Sequence, residues 1–240
     1  MNTDVGRRVM IDFHSHVLPA MDDGAATAEE SAAMLAEAAK QGVHTVVATS
    51  HYYRSQETIE SFLCRRAVAA EQMAPCIPDG MQVLIGAEVL MQKGVSGLDL
   101  QPLCIEGTSR ILLELPFSPP PSWLYEEMEN IALGQRLDVI LAHIDRYMPW
   151  YSTREMTEMM EFPGLSVQLN AEAFLDAKLM RALKRWLPPC ESMVLGSDMH
   201  HIDQRSPNIG PACKKLQRKI YGRRWLEQIQ HDSLLLLPPH

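Results

Sequence analysis

The sequence predicts an α/β fold, a distorted (β/α)7 barrel of the triose-isomerase type, on three observations. The chain has 240 residues, enough for one barrel or two small domains. Seven short apolar runs alternate with segments of helical periodicity, which implies parallel strands joined by helical crossovers. Six of the seven runs end at a histidine or carboxylate, and the C-terminal ends of barrel strands are where such enzymes place their active sites. An open doubly wound sheet would gather these residues at one switch point instead.

Met10 to Val17 is the first strand. Thr27 to Gln41 reads as a helix, with Thr27 as cap, Glu30 completing a capping box and Gly42 ending it. His44 to His51, a β-branched run, is the second strand. Residues 55–73 form a helix that stops before Pro75. Met81 to Glu88 is the third strand, and residues 91–109 a glycine-rich loop with a short strand. Arg110 to Leu115 is the fourth strand. Prolines at 116 and 119–121 stiffen the next loop, and Ser122 caps a helix to about Gly134. Leu137 to His143 is the fifth strand, Thr153 to Glu161 a helix, and Leu165 to Asn170 the sixth strand. Asp176 to Leu187 is a helix, Ser192 to Asp198 the seventh strand, and residues 211–230 are helical and basic. Residues 10–240 read as a single domain, and residues 1–9 as a poorly ordered extension, with Met10 an alternative start.

Composition narrows the function classes. Five scattered cysteines without close pairing suit a reduced cytoplasm rather than a disulfide framework. The net charge of −8 argues against broad electrostatic binding of nucleic acid or anionic membranes. Residues 1–9 carry two arginines, but no apolar run of signal length follows. Leu234 to Leu237 is far too short to span a bilayer, so no membrane insertion is expected. No sequence pattern specifies an oligomeric state.

The strand ends carry the chemistry. His14 and His16 alternate on one strand and so share a face. They form half of a metal site, or else a pair of surface histidines at a strand end. The later strands add Asp23 (in the loop after the first), His51, Glu88, Glu114, His143, Asp198 and His200. Five of the nine histidines fall in this set. An unpaired carboxylate beside an apolar core is costly, which sets Glu88 and Glu114 apart from ordinary surface acids. Nine nitrogen and oxygen donors without sulfur suit manganese, iron or zinc, with cobalt or magnesium as further candidates. They are too many for one ion. Three divalent ions against four carboxylates and a bridging hydroxide leave about one positive charge, which attracts a phosphate dianion locally.

Taken together, His14-Ser15-His16, Asp23-Gly24, Ala48-Thr49-Ser50-His51, Gly86-Ala87-Glu88, Glu114-Leu115-Pro116-Phe117, Ala142-His143-Ile144-Asp145-Arg146-Tyr147 and Ser197-Asp198-Met199-His200 resemble the polymerase-and-histidinol-phosphatase (PHP) superfamily. Within it they resemble the manganese-dependent protein tyrosine phosphatases of capsule and exopolysaccharide loci. The motifs occur in order from residue 10 to about residue 210. The resemblance implies a trinuclear site in a seven-stranded barrel. One ion would take His14, His16, Glu88 and Asp198. A second would take Glu88 as a bridge with Glu114 and His143, and a third Asp23, His51 and His200. Arg146 and Arg205 match the arginines that the family places on phosphate. The sequence departs from the pattern at Ile144-Asp145, Glu172 and His201.

The implied activity is hydrolysis of a phosphoric monoester by direct attack of a metal-bound hydroxide. Arg146 and Arg205 would steady the equatorial oxygens, and Asp145 is a candidate proton donor. The expected partner is the phosphotyrosine-containing tail of a tyrosine kinase of polysaccharide export, in the cytoplasm. Two other readings stand beside it: a histidinol-phosphate or other small-molecule phosphatase, and a non-catalytic kinase-binding regulator. Cys104 to Arg110 also has the cysteine, five residues, arginine spacing of thiol-based phosphatases. There, Glu106 would sit in the phosphate cradle and a strand follows where a helix is needed. Tyr52, Tyr53 and Tyr147 are candidates to stack on a phenyl ring.

Overall fold

The structure, a computed structural model, describes residues 10–238; the expected extension at residues 1–9 lies outside them. Nine strands build the barrel: β1 (Met10–Ser15), β2 (Val43–Ala48), β3 (His51–Tyr52), β4 (Gln82–Ile85), β5 (Glu88–Leu90), β6 (Arg110–Glu114), β7 (Asp138–Leu141), β8 (Ser166–Asn170) and β9 (Ser192–Gly196). All pairings are parallel, in the orders β1-β2-β4 and β3-β5-β6-β7-β8-β9. The expected second and third strands each break into two pieces, at 49–50 and 86–87. The pieces stay on one stave, because Gly86 N–H donates to Ala48 O at 2.8 Å and Glu88 N–H to Ser50 O at 3.0 Å. Seven staves therefore result. The barrel closes where β9 meets β1: Asp198 N–H donates to His14 O at 2.8 Å and His16 N–H to Met199 O at 2.9 Å.

The helices are α1 (Ala28–Lys40), α2 (Ile59–Met73), α3 (Leu124–Glu129), α4 (Thr153–Met160), α5 (Ala171–Leu175), α6 (Ala177–Trp186), α7 (Ile209–Gln217) and α8 (Ile220–Leu236). Thr27 caps α1 by accepting from Glu30 N, but the Glu30 carboxylate reaches back to Ala26 N–H, one residue before the expected box. Ser152 and Glu155 form a full capping box on α4, and Asp176 caps α6. Ser122 caps nothing: Leu124 N–H closes a turn on Pro121 O, so α3 starts two residues later and ends in a π-turn over Asn130–Gly134. The basic C-terminal helix is two helices, parted at Arg218–Lys219. None among the described residues is long and apolar enough to cross a membrane.

The outer core packs helices against strands. A second cluster lies inside the barrel and takes Ile11, Phe13, Val47, Leu84, Leu112, Ile140, Ala142 and Val194 from six strands, with Leu236 and Leu237 closing its lower end. Above this apolar floor the interior turns polar at Gln168 and Asn170, both buried. The β1–β2 register slips between Asp12 and Ser15. The irregularity lets Phe13 pack in the floor while the next side chain, His14, also reaches interior partners.

Candidate metal centre

All nine predicted donors converge at the C-terminal mouth. Glu88, at the start of β5, is fully buried and central. Its Oε2 lies 3.0 Å from His14 Nε2, 3.3 Å from His16 Nε2 and 3.0 Å from His51 Nδ1, and its Oε1 lies 2.8 Å from His143 Nε2. Asp198 Oδ1 lies 3.6 Å from the Nε2 atoms of both His14 and His16. Glu114 Oε1 is 3.6 Å from His143, while Asp23 Oδ1 is 3.6 Å from His51 Nε2 and 3.3 Å from His200 Nε2.

Three groups of donor atoms, each within 4.8 Å of one another, emerge from this arrangement: His14, His16 and Asp198; His51, Glu88 and Glu114; and His16, Asp23, His51 and His200. They overlap the three expected ligand sets without coinciding with them: Glu88 is absent from the first group, His51 stands in the second where His143 was expected, and His16 joins the third.

The donor set fits divalent ions on chemical grounds. His14 Nε2 and His16 Nε2 face each other at 3.1 Å, and two protonated nitrogens would repel there. Burial opposes charge on His16, but Asp22 and Glu88 outweigh it and lift the imidazole to about 10. His143 likewise rises to about 9 against its burial, through Glu114 and Glu88. His200 falls to about 3, through burial and then the His16 and Arg205 cations. Burial opposes charge on Glu88 and Asp198 too, yet the imidazoles around Glu88, and His14 with Arg146 around Asp198, hold both carboxyls well below the usual range. Buried carboxylates that stay charged among imidazoles facing inward are the ligand chemistry of a metal cluster.

Three supporting residues escaped the sequence reading. Asp22 Oδ2 accepts from His16 Nδ1 and from His51 N–H, both at 2.8 Å, which fixes the ring and the strand end together. Gln168 Oε1 accepts from His14 Nδ1 at 2.9 Å and from His143 N–H at 2.5 Å, and Asn170 Nδ2 donates to Asp198 Oδ2 at 3.1 Å. Two amides alternating with Val167 and Leu169 on β8 were the available signal. Such partners set the tautomer and basicity of a ligand. Asp22→Asn is expected to weaken metal affinity about 10–100-fold in a metal titration, with the far-UV spectrum unchanged.

Close backbone approach fixes two glycines. A Cβ on Gly24 would stand 2.3 Å from His16 O, and one on Gly196 would stand 2.5 Å from Gln168 Nε2 and 2.6 Å from His14 Cβ. Backbone strain also collects here: His143, Asp198 and Arg205 have φ of 29°, 54° and 52°, values that cost energy for residues with a Cβ and cluster at working sites.

Arg146 and Arg205 flank the mouth and pair with Asp198 at 2.6 and 2.5 Å. Asp145 is buried, which raises its carboxyl, and its Oδ1 accepts from Asn170 N–H at 2.8 Å. Of the three tyrosines, Tyr52 packs on Phe62 and Tyr147 is buried, its hydroxyl accepting from Leu115 N–H. Only Tyr53 reaches the mouth, stacked on His51 at 5.2 Å; Phe117, 45% exposed, stacks on His143 at 5.6 Å. The Cys104–Arg110 loop precedes β6, whereas Glu114 ends it, so that loop lies at the opposite end of the barrel. Burial pushes the Cys104 thiol up to about 12, the reverse of what a nucleophile needs.

Comparison with known proteins decides the family. The family described as capsular polysaccharide synthesis, CpsB/CapC, matches residues 10–234. The chain belongs to that family. Within the CpsB/CapC group it is 35% identical to the tyrosine-protein phosphatase YwqE of Bacillus subtilis (strain 168) over 239 residues, 95% of this chain and 91% of that protein. It is 29% identical to the tyrosine-protein phosphatase CpsB of Streptococcus pneumoniae over 236 residues, 93% of this chain and 96% of the other. Among solved structures, one from the work on YwqE and CpsB, described there as unique metal-dependent tyrosine phosphatases, superposes with TM-score 0.73 at 21% identity, covering 95% and 94% of the two chains. A TatD-family hydrolase from Entamoeba histolytica superposes at 0.59 with 11% identity, covering 97% and 99%. These likenesses place the CpsB/CapC barrel among distorted (β/α) barrels.

Proposed function

We propose that the chain is a metal-dependent protein-tyrosine phosphatase whose substrate is a phosphorylated tyrosine tail of a polysaccharide-export kinase in the cytoplasm. The gathering of nine N/O donors at the barrel mouth, four histidines of them against Glu88, carries this reading. Its family and the activity of the named relatives support it.

His14, His16, Glu88 and Asp198 would hold one ion, Glu88, Glu114 and His143 a second, and Asp23, His51 and His200 a third, manganese being the preferred metal. When bound, such ions supply positive charge to the phosphoryl oxygens and acidify water. Arg146 and Arg205 stand where their guanidiniums can grip equatorial oxygens bidentately. Tyr53, stacked on His51, and Phe117, stacked on His143, offer apolar walls for an aryl group. Phenol has a pKa of about 10, so a phenolate departs without a strong acid, and the reaction does not depend on Asp145.

Exhaustive chelation is expected to abolish hydrolysis of a phosphotyrosine peptide, and manganese to restore it. The peptide is expected to be preferred over histidinol phosphate and nucleotides. Full activity in metal-free protein, or a reversed preference, would overturn the reading; failure to bind metal, with retained kinase binding, would favour the non-catalytic regulator.

A further inference from the structure

The charge of this molecule is segregated. Residues 177–224 hold eleven of the 22 lysines and arginines but three of the 30 aspartates and glutamates. One of the eleven is Arg205, at the metal centre. The other ten are four on α6 (Lys178, Arg181, Lys184 and Arg185) and six between Lys214 and Arg224, across the junction of α7 and α8. All ten are exposed or half-exposed. Among the described residues none of the ten makes a salt bridge within 4.0 Å, the Asp176 carboxylate at the α6 cap standing in the field of Lys178 and Lys215, whereas Lys40, Arg65, Arg110 and Arg154 elsewhere each do. A surface serving solubility alone intersperses both signs. The whole-chain charge of −8 averages over this separation, so it does not describe what the α6–α8 face presents.

The cations form one field. Lys184 Nζ sits 4.6 Å from the Tyr221 ring centroid, joining α6 to α8, and Lys215 Nζ donates to Leu175 O at 2.5 Å, joining α7 to the end of α5. Helix α6 alone is about 15 Å long, from its ten residues and a rise of ~1.5 Å each. In the middle stands Ile220, 71% exposed at the first position of α8, between Lys219 and the Arg223–Arg224 pair.

We infer that the α6–α8 face is a peripheral docking surface for an anionic phospholipid bilayer, with the cations on headgroup phosphates and Ile220 at the interface. The breadth of the field over three helices matches a sheet of phosphates better than a single acidic strand, which would meet one row of cations. An exposed aliphatic side chain amid lysine and arginine gains from an acyl boundary and gains nothing from a soluble polyanion. This docking is adsorption and needs no spanning segment.

The test is co-sedimentation of the full metal-loaded chain with vesicles of phosphatidylglycerol and phosphatidylcholine, against phosphatidylcholine alone, with soluble polyglutamate and duplex DNA as competing probes. Binding to the anionic vesicles is expected, weakening steeply as salt rises. The combined variant Arg218→Glu, Lys219→Glu, Arg223→Glu and Arg224→Glu is expected to lower partitioning at least about 100-fold, since each cation near the surface contributes about fivefold. Ile220→Asp is expected to weaken vesicle binding while leaving any polyglutamate binding as it was. Metal content and turnover of a soluble aryl phosphate are expected to stay at the parent level in both variants, which reports an intact fold. No binding to anionic vesicles at low salt, equal binding to neutral ones, or equal binding by the four-fold variant would overturn the inference. Preference for polyglutamate or DNA over the vesicles would overturn it in favour of an acidic macromolecule.

Discussion

Glu88→Ala is expected to lower phosphatase turnover by roughly 10³-fold or more, because a bound ion contributes several kcal/mol to the transition state and each ~1.4 kcal/mol is a factor of ten. Among the described residues no other carboxylate lies this close to four imidazoles. The two Glu88 oxygens face His14, His16, His51 and His143 at 2.8 to 3.3 Å. Alanine removes the counter-charge shared by four imidazoles, three of them buried, so metal affinity at two positions fails together. Elemental analysis of the purified variant should show at least two ions fewer than the parent. Asp23→Ala makes the comparison: Asp23 pairs with His51 and His200 and belongs to a single donor group, and its loss should empty one position. If both variants retained the parent metal count, the division of the donors into three sets would be wrong. If Glu88→Ala kept parent turnover, the centre would not be where the chemistry happens.

Arg205→Ala is the second large effect, about 10²–10³ in kcat/KM, the usual cost of removing one preorganised donor to developing charge. The alternative role for this guanidinium is structural, since it also pairs with Asp198 at 2.5 Å. The two roles part experimentally. Asp198 keeps Arg146 and Asn170 as partners without Arg205, so metal content is expected to persist while turnover collapses. A phosphate-binding role also predicts weaker competitive inhibition by inorganic phosphate in the variant. Metal loss in proportion to activity, with unchanged phosphate inhibition, would assign Arg205 to holding Asp198 and His200 in place.

The barrel and the donors were legible because both rest on short-range periodicity. His14 and His16 share a face by alternation, and Asp198 and His200 repeat the spacing at the last strand, so strand ends could be read one by one. What alternation does not encode is where a ladder breaks. The interruptions after Ala48 and Ile85 depend on how strands stagger around a closed barrel, and nothing local at Thr49–Ser50 announces one. The slip in β1 is of the same kind. Asp22 stayed hidden beside Asp23, because two adjacent acids in a loop carry no face until the loop is folded. Gln168 and Asn170 stayed hidden because alternating polar positions in a strand look like an ordinary solvent-facing side, and only barrel closure turns them inward beneath His14 and Asp198. The basic stretch after residue 211 was visible as charge, but its union with α6 depends on helix packing.

The seam between β1 and β9 has a consequence in time. His14 and Asp198 are neighbours across it, yet 184 positions separate them along the chain, and their ends are held by backbone bonds made nowhere else in the ladder. Contacts of such long sequence separation form late, because a large loop must close first. The donor group that spans the seam can capture an ion only after the last stave has docked on the first. Ion uptake at that position is therefore a clock for completion of the barrel, and a partly folded chain cannot acquire the full centre ahead of its scaffold.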